Sequence, residues 1–370
     1  MPKNKKVILL YPYFNGSSGA FNRYLLLEKL LRKKKLDVKL IVFDQQEFNL
    51  AFLKIINKFL KFLKVETLIF FYSVLRKNYF ITDFNPSIIA LFSKYVFIQI
   101  HDVSWANKNF IRHNLFFYRI FNFFIKNYTN ILTVSKNSIS EIIKVSGRNK
   151  RISFLYNSVS ESFINESRRI GKDSFILQKN NDNGSIDFSL PNLLYIATLT
   201  PRKCHADLLE ALSNTNKLFN VNLIGFPTDK KILEYIQTKK SPKGNYIKSN
   251  INFFPKVSQN YLCNLLLYCS AYISTSMEEG FGIPVLEAQV YKVPIILRDL
   301  NINRELFPKA TFFKSTFQLS NLLSDIKLLS ESEIKERKEI ASMLNEDNIN
   351  NLFNYSILSK KLQSIIFNHY

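Results

Sequence analysis

The window Glu278-Glu-Gly-Phe-Gly-Ile-Pro-Val-Leu-Glu-Ala288 gathers carboxylates, glycines and a proline in one short stretch. Glycine is scarce in this chain, nine in 370 residues, against roughly 7% in ordinary proteins. Gly280 and Gly282 therefore mark backbone that must turn sharply or be approached closely. Pro284 suits the first turn of a helix, where its missing N–H is no loss. Free N–H groups at such a start, here around Gly282 and Ile283, favour a phosphate. Glu279 and Glu287 flank that start. A carboxylate repels a diphosphate, so each is better suited to hydroxyls at either end of one, a sugar on one side and a ribose on the other. A capped strand–turn–helix with surface acids is the plain alternative.

A second group is Leu194-Tyr-Ile-Ala-Thr-Leu-Thr-Pro-Arg-Lys203, where Arg202 and Lys203 precede a helical stretch at 206–212. Two cations there could neutralise a leaving diphosphate, or simply form a solvated helix start. His101-Asp102 follows the apolar run 95–100, and the carboxyl end of a strand is where open α/β sheets bind ligands. The loop Asn15-Gly-Ser-Ser-Gly19 follows the first strand, but the spacing of Gly16 and Gly19 fits neither a dinucleotide nor a P-loop fingerprint. It reads as a turn or as a substrate contact. No Asp-x-Asp pair occurs, and Cys204, Cys263, Cys269 and the four histidines do not cluster as metal ligands would. No metal, disulfide framework or cofactor is expected, and a reducing cytoplasm is the expected setting.

Short apolar runs at 6–11, 38–43, 67–72, 95–100, 131–134 and 152–155 alternate with longer amphipathic segments such as 21–32. Near-continuous apolarity in such runs predicts parallel strands covered on both faces, linked as βαβ units. A polar stretch rich in Asn, Ser, Asp and Gly follows, and the alternation restarts with runs at 192–197, 221–224, 251–254, 271–274, 294–297 and 311–313. The expected architecture is α/β, with two Rossmann-like, doubly wound parallel-sheet domains. We place them at 1–165 and 191–349, joined by a linker at 166–190. A helix over 350–370 could pack on either.

Residues 272–297 resemble the signature of the retaining family 4 glycosyltransferases, with its Glu-x7-Glu motif and trailing Pro-(Ile/Val) strand. The resemblance implies a GT-B fold, its two domains facing across a cleft, and a nucleotide-sugar donor. It implies that Glu287 binds the ribose and Glu279 the donor sugar, with Gly280, Phe281, Gly282 and Ile283 lining the donor site. Pro201-Arg202-Lys203 resembles the family's Pro-Arg-Lys motif, although Ala197-Thr198 stands where many members have Gly-Arg, so a hydroxyl on Thr198 replaces one cation. Ile100-His101-Asp102 resembles the element whose histidine contacts the donor sugar near the reacting carbon, and Asp102 orients the loop. Leu132–Ser135 and Tyr156–Val159 resemble two further elements, but Ser158 stands where glycine is usual and Asn157 receives no role. The loop with Gly16 and Gly19 would close over donor and acceptor, and Phe254-Pro-Lys-Val257 matches the base-contacting loop at Val257.

The expected function is retaining, metal-independent transfer of a sugar from a nucleoside-diphosphate donor to a glycan or polyprenyl-linked acceptor, in a bacterial surface polysaccharide pathway. The alternative is a GT-B-fold nucleotide-sugar epimerase or hydrolase that needs no acceptor. The net charge of +22 resides mostly in the first half, and Lys54, Lys58, Lys61 and Lys64 recur on one helical face. That face, and the aromatic stretch 110–126 with Arg112, Arg119 and Lys126, are candidates for an anionic membrane surface. No nucleic-acid module accompanies the charge, so no nucleic acid is expected. No apolar run reaches membrane-spanning length, which suggests a cytoplasmic or peripheral protein.

Overall fold

The computed structural model describes residues 6–14, 19–44, 51–84, 87–103, 115–148, 151–172, 189–349 and 352–367. The chain divides into two compact units, one of residues 1–158 with 351–370 and one of residues 159–350.

Unit 1 is built on six parallel strands: β1 (Val7–Phe14), β2 (Val38–Asp44), β3 (Tyr79–Asp83), β4 (Val96–Ile100), β5 (Asn130–Thr133) and β6 (Ile152–Phe154). Their order is β2-β1-β3-β4-β5-β6. Consecutive strands step outward to opposite sides of β1, which places a topological switch point between β1 and β3. Buried Ile8, Leu10, Phe80, Ile98, Ile100 and Ile131 form much of one core layer. Parallel strands need both faces covered, and the apolar runs supply this.

One expected strand is not one. Residues 67–72 are helical, because the helix Ala51–Ile69 continues into a π-helical turn at Phe70–Leu75. The β-branched and aromatic run there continues the apolar face of the amphipathic helix rather than starting a strand. The strand that lies beside β1 is Tyr79–Asp83 instead, entered through Lys77 at φ 51° and pinned where Asn78 Oδ1 accepts from Lys6 N at 3.1 Å.

Unit 2 carries β7 (Asn192–Ile196), β8 (Asn220–Ile224), β9 (Asn250–Phe254), β10 (Ala271–Ser274), β11 (Ile295–Arg298) and β12 (Thr311–Phe313). The strands are parallel in the order β12-β11-β10-β7-β8-β9. This is the doubly wound dinucleotide-fold order, with its switch point between β7 and β10. Leu193, Tyr195, Val221, Leu223, Ala271 and Ile273 pack with the helices His205–Ser213, Lys230–Thr238 and Thr316–Asp325 into one core.

The helix Glu161–Lys172 falls within unit 2 and packs on the helices Gln259–Leu267 and Glu331–Met343. It occupies the start of the stretch read from sequence as a linker, whose residues 173–188 lie outside the described residues. The last helix, Tyr355–Phe367, packs on Gly19–Arg32 in unit 1, where Ser359 Oγ donates to Leu30 O at 2.6 Å.

Candidate active site

In unit 2 the two sequence groups sit at the carboxyl ends of β7 and β10, the strands on either side of the switch point. After β7 the chain passes Ala197–Thr200, makes a 3-10 turn at Pro201–Lys203 and enters the helix His205–Ser213 through Cys204 at φ 48°. A left-handed backbone at a non-glycine residue costs about 1–3 kcal/mol, and the bonds around it offset that cost. Thr275 Oγ1 donates to Lys203 O at 3.1 Å and to Cys204 O at 2.7 Å, Tyr195 Oη donates to Lys203 O at 2.6 Å, and Met277 N donates to Arg202 O at 2.9 Å. The loop after β10 thus clamps the loop after β7.

This clamp brings Lys203 against Glu279. Lys203 Nζ lies 2.5 Å from Glu279 Oε1, with both side chains largely shielded from solvent. Arg202 is exposed beside them. Gly282 starts the helix Ile283–Val290 at φ 84°, a conformation that suits glycine, and a Cβ there would crowd Val285. Ile283 N–H is among the amides that a helix start leaves without intrahelical acceptors. Gly280 is half-buried and Phe281 buried in the turn leading to it.

Glu287 lies further along the same helix, and burial pushes its carboxyl up to about 8. A carboxylic acid held this way gains from hydroxyl donors that a ligand would bring. Thr198 is exposed and Val257 half-buried, beyond the carboxyl ends of β7 and β9.

Two residues that sequence reading did not single out complete this edge. Gly225 follows β8, and a Cβ there would lie 2.0 Å from Ala197 O, so only glycine lets the two chain segments approach. Its signal in the sequence is that it is one of only nine glycines in the chain and directly follows the apolar run 221–224. Arg298, at the end of β11, donates from Nε to Thr275 O at 2.8 Å and pairs with Asp207 in the first turn of the helix His205–Ser213. No local motif marks it. His205, read as incidental, is buried against Tyr195 with ring centroids 4.5 Å apart, and burial lowers its imidazole to about 4. Among the described residues no three His, Cys, Asp or Glu gather as metal ligands would. Arg202, Lys203 and Arg298 are cations of the loop after β7 and of β11.

In unit 1, His101 emerges from the carboxyl end of β4, half-exposed, with Nε2 3.2 Å from Asp83 Oδ1 at the end of β3. Tyr24 Oη donates to the same oxygen at 3.0 Å. Arg23 beside it is fully buried and donates to Gln99 Oε1, Tyr156 O and Asn157 Oδ1 at 3.1, 2.9 and 2.8 Å. Asn157, given no role from sequence, is thus part of a buried polar network. Gly19 is the first residue of the helix Gly19–Arg32, and Gly16 lies outside the described residues.

Two parallel doubly wound sheets with loops of this kind at their carboxyl ends define an α/β fold of the GT-B class. The family model "Glycosyl transferases group 1" matches residues 179–343, within unit 2. The chain is similar to the serotype-specific mannosyltransferase WbdA of Escherichia coli, 26% identical over 161 residues, covering 40% of this chain and 19% of that protein. It is also similar to the O-antigen chain mannosyltransferase RfbU of Salmonella typhimurium, 24% identical over 241 residues, covering 63% of this chain and 60% of that one. The chain therefore spans less than two thirds of either relative. Among solved structures it shares its fold with WaaG, a glycosyltransferase involved in lipopolysaccharide biosynthesis, at a TM-score of 0.64 and 13% identity over 98% of this chain and 100% of that one. All three named proteins are described as glycosyltransferases or mannosyltransferases.

Proposed function

We propose that this chain is a retaining glycosyltransferase of the family 4 type. It moves a sugar from a nucleoside-diphosphate donor to a glycan or polyprenyl-linked acceptor in bacterial surface-polysaccharide assembly. The observation that carries this reading is the Lys203–Glu279 pair at the unit 2 switch point, beside the glycine-started helix that bears Glu287. The diphosphate lies against the Gly282–Ile283 helix start, and Arg202 and Lys203 balance the charge that grows as it leaves. Lys203 then shares its ammonium between Glu279 and phosphate oxygens, which lets Glu279 accept from a sugar hydroxyl. Glu287 accepts from the ribose, and Thr198 and Val257 border the nucleotide. His101 contacts the donor sugar.

The anomeric carbon–phosphate oxygen bond breaks as the acceptor oxygen bonds to the same face. The departing diphosphate takes the acceptor's proton. Side-chain and amide donors do the charge stabilisation, so no divalent ion takes part. The names of both curated relatives make mannose the first sugar to try.

Thermal melting of the purified protein with UDP, GDP, ADP and CMP tests the donor half of this reading. One nucleoside diphosphate should raise Tm by mass action, by an amount equivalent to about 2.7 kcal/mol at a hundredfold excess over Kd. Absence of a shift with all of them, at millimolar concentration, would count against it. Turnover should survive EDTA; loss of turnover restored by Mg²⁺ or Mn²⁺ would remove the metal-independent mechanism.

We also propose peripheral contact with anionic membrane through unit 1. The helix Leu115–Asn127 exposes Leu115, Phe116, Phe117 and Phe123 together with Arg119 and Lys126, as an interfacial helix does. Arg112 and the side chains of Lys54 and Lys58 lie outside the described residues, while Lys64 is exposed. Among the described residues no helix is long and apolar enough to cross a membrane. Co-sedimentation with liposomes should require anionic lipid and weaken with salt; binding indifferent to both would refute it.

A further inference from the structure

We propose that Asp83 is a positioning residue that sets the tautomer and orientation of His101. Its catalytic consequence rests on the transferase reading above; the tautomer itself does not.

β3 and β4 are parallel neighbours with Asp83 in register with Gln99, so Asp83 and His101 leave the same edge of the sheet two residues apart. His101 Nε2 meets Asp83 Oδ1 at 3.2 Å. An ionised carboxylate only accepts, so Nε2 must carry the hydrogen. A neutral imidazole with its proton on Nε2 leaves Nδ1 as an acceptor.

Two neighbours hold Asp83 in place. Tyr24 is fully buried, and burial followed by Asp83 itself holds its phenol well above the ordinary range, so the hydroxyl keeps its proton and donates to Oδ1 at 3.0 Å. Arg23 is buried as a cation whose hydrogen-bond partners, Gln99, Tyr156 and Asn157, are all neutral. Asp83 is the carboxylate that acts on its charge through space. Burying a cation costs several kcal/mol unless opposite charge compensates it; burial lowers the Arg23 guanidinium to about 9, and Asp83 nearby offsets part of that.

The functional consequence is a fixed acceptor. His101 Nδ1 can recognise only a donor, which at a sugar site is a hydroxyl. A substrate lacking that hydroxyl would be discriminated against.

Histidine ¹⁵N–¹³C correlation spectra of the full chain, taken near pH ~8, above the ordinary imidazole pKa of about 6.5, read the tautomer directly. Loss of one signal in His101→Gln assigns it. The parent protein should show His101 with Nε2–H. Asp83→Asn should raise the Nδ1–H fraction, because an amide can also donate, whereas Asp83→Glu should restore Nε2–H. The parent as Nδ1–H, or an unchanged tautomer in Asp83→Asn, would overturn the proposal, and the parent spectrum decides even where a variant fails to fold. In a transferase assay Asp83→Asn should lower kcat about tenfold to a hundredfold, the usual cost of removing a supporting partner, with donor KM little changed. A tautomer shift without rate loss would uphold the Asp83–His101 link and count against the catalytic use of His101.

Discussion

The two units arrange their functional side chains by different means. At the unit 2 edge the backbone does the positioning: carbonyls of Arg202, Lys203 and Cys204 are gripped by Tyr195, Thr275 and Met277, and Lys203 is delivered to Glu279. At the unit 1 edge, side chains position other side chains. Tyr24, Asp83 and His101 come from a helix and two strand ends and meet through bonds 18 and 59 positions apart, while Arg23 beside Tyr24 bonds Asn157, 134 positions on. A backbone clamp tolerates substitution of many neighbours but not of the turn residues that shape it. A side-chain network loses its geometry one member at a time.

If the clamp delivers Lys203 to a growing charge, Lys203→Ala should have the largest catalytic effect, a fall in kcat on the order of 10²–10³ with donor still bound. A fall below tenfold in a transferase assay would break the comparison at its stronger end.

Gly225→Ala comes next. The added methyl meets Ala197 O at 2.0 Å, so the β7 and β8 loops must part. Overpacking of this kind costs about 1–3 kcal/mol, read as a lower Tm and weaker nucleotide binding together. An unchanged Tm would show that the loops yield freely.

A further effect concerns pH. Glu287 is raised to about 8 in the folded protein, above the roughly 4.3 of a free glutamate. The fold therefore resists its ionisation, and its contribution to stability falls as pH rises from about 4 to about 8. Glu287→Gln removes that loss. Without nucleotide, the variant should match the parent below about pH 4 and melt higher near pH ~8; parallel Tm–pH curves would contradict the environment assigned to this acid.

Legibility followed the same division. In unit 2 the apolar runs are short and bounded by turn residues, so runs at 271–274 and 311–313 coincide with β10 and β12. The window 278–288 shows its chemistry because glycine, proline and carboxylates lie within a few residues of one another. That Lys203 and Glu279 touch was not legible, since they are 76 residues apart. In unit 1 the apolar run 67–72 concealed the true strand, Tyr79–Asp83. Losing that strand hid Asp83 at its end, and with it the partner of His101. Arg23 reads as an ordinary charge on an amphipathic helix, and only the packing shows that it is buried.

The central claim is that the unit 2 switch point binds a nucleoside diphosphate, with Glu287 at the ribose and Glu279 at the sugar. Isothermal titration of the free diphosphate identified by thermal melting, against the parent, Glu287→Gln and Glu279→Gln, tests it most directly. Above about pH 8, where Glu287 is a carboxylate, a neutral amide accepts a hydroxyl hydrogen bond less strongly, so Glu287→Gln should bind about tenfold more weakly there, while Glu279→Gln, lacking a sugar to contact, should bind about as the parent does. Equal losses in the two variants, or none in either, would contradict the account.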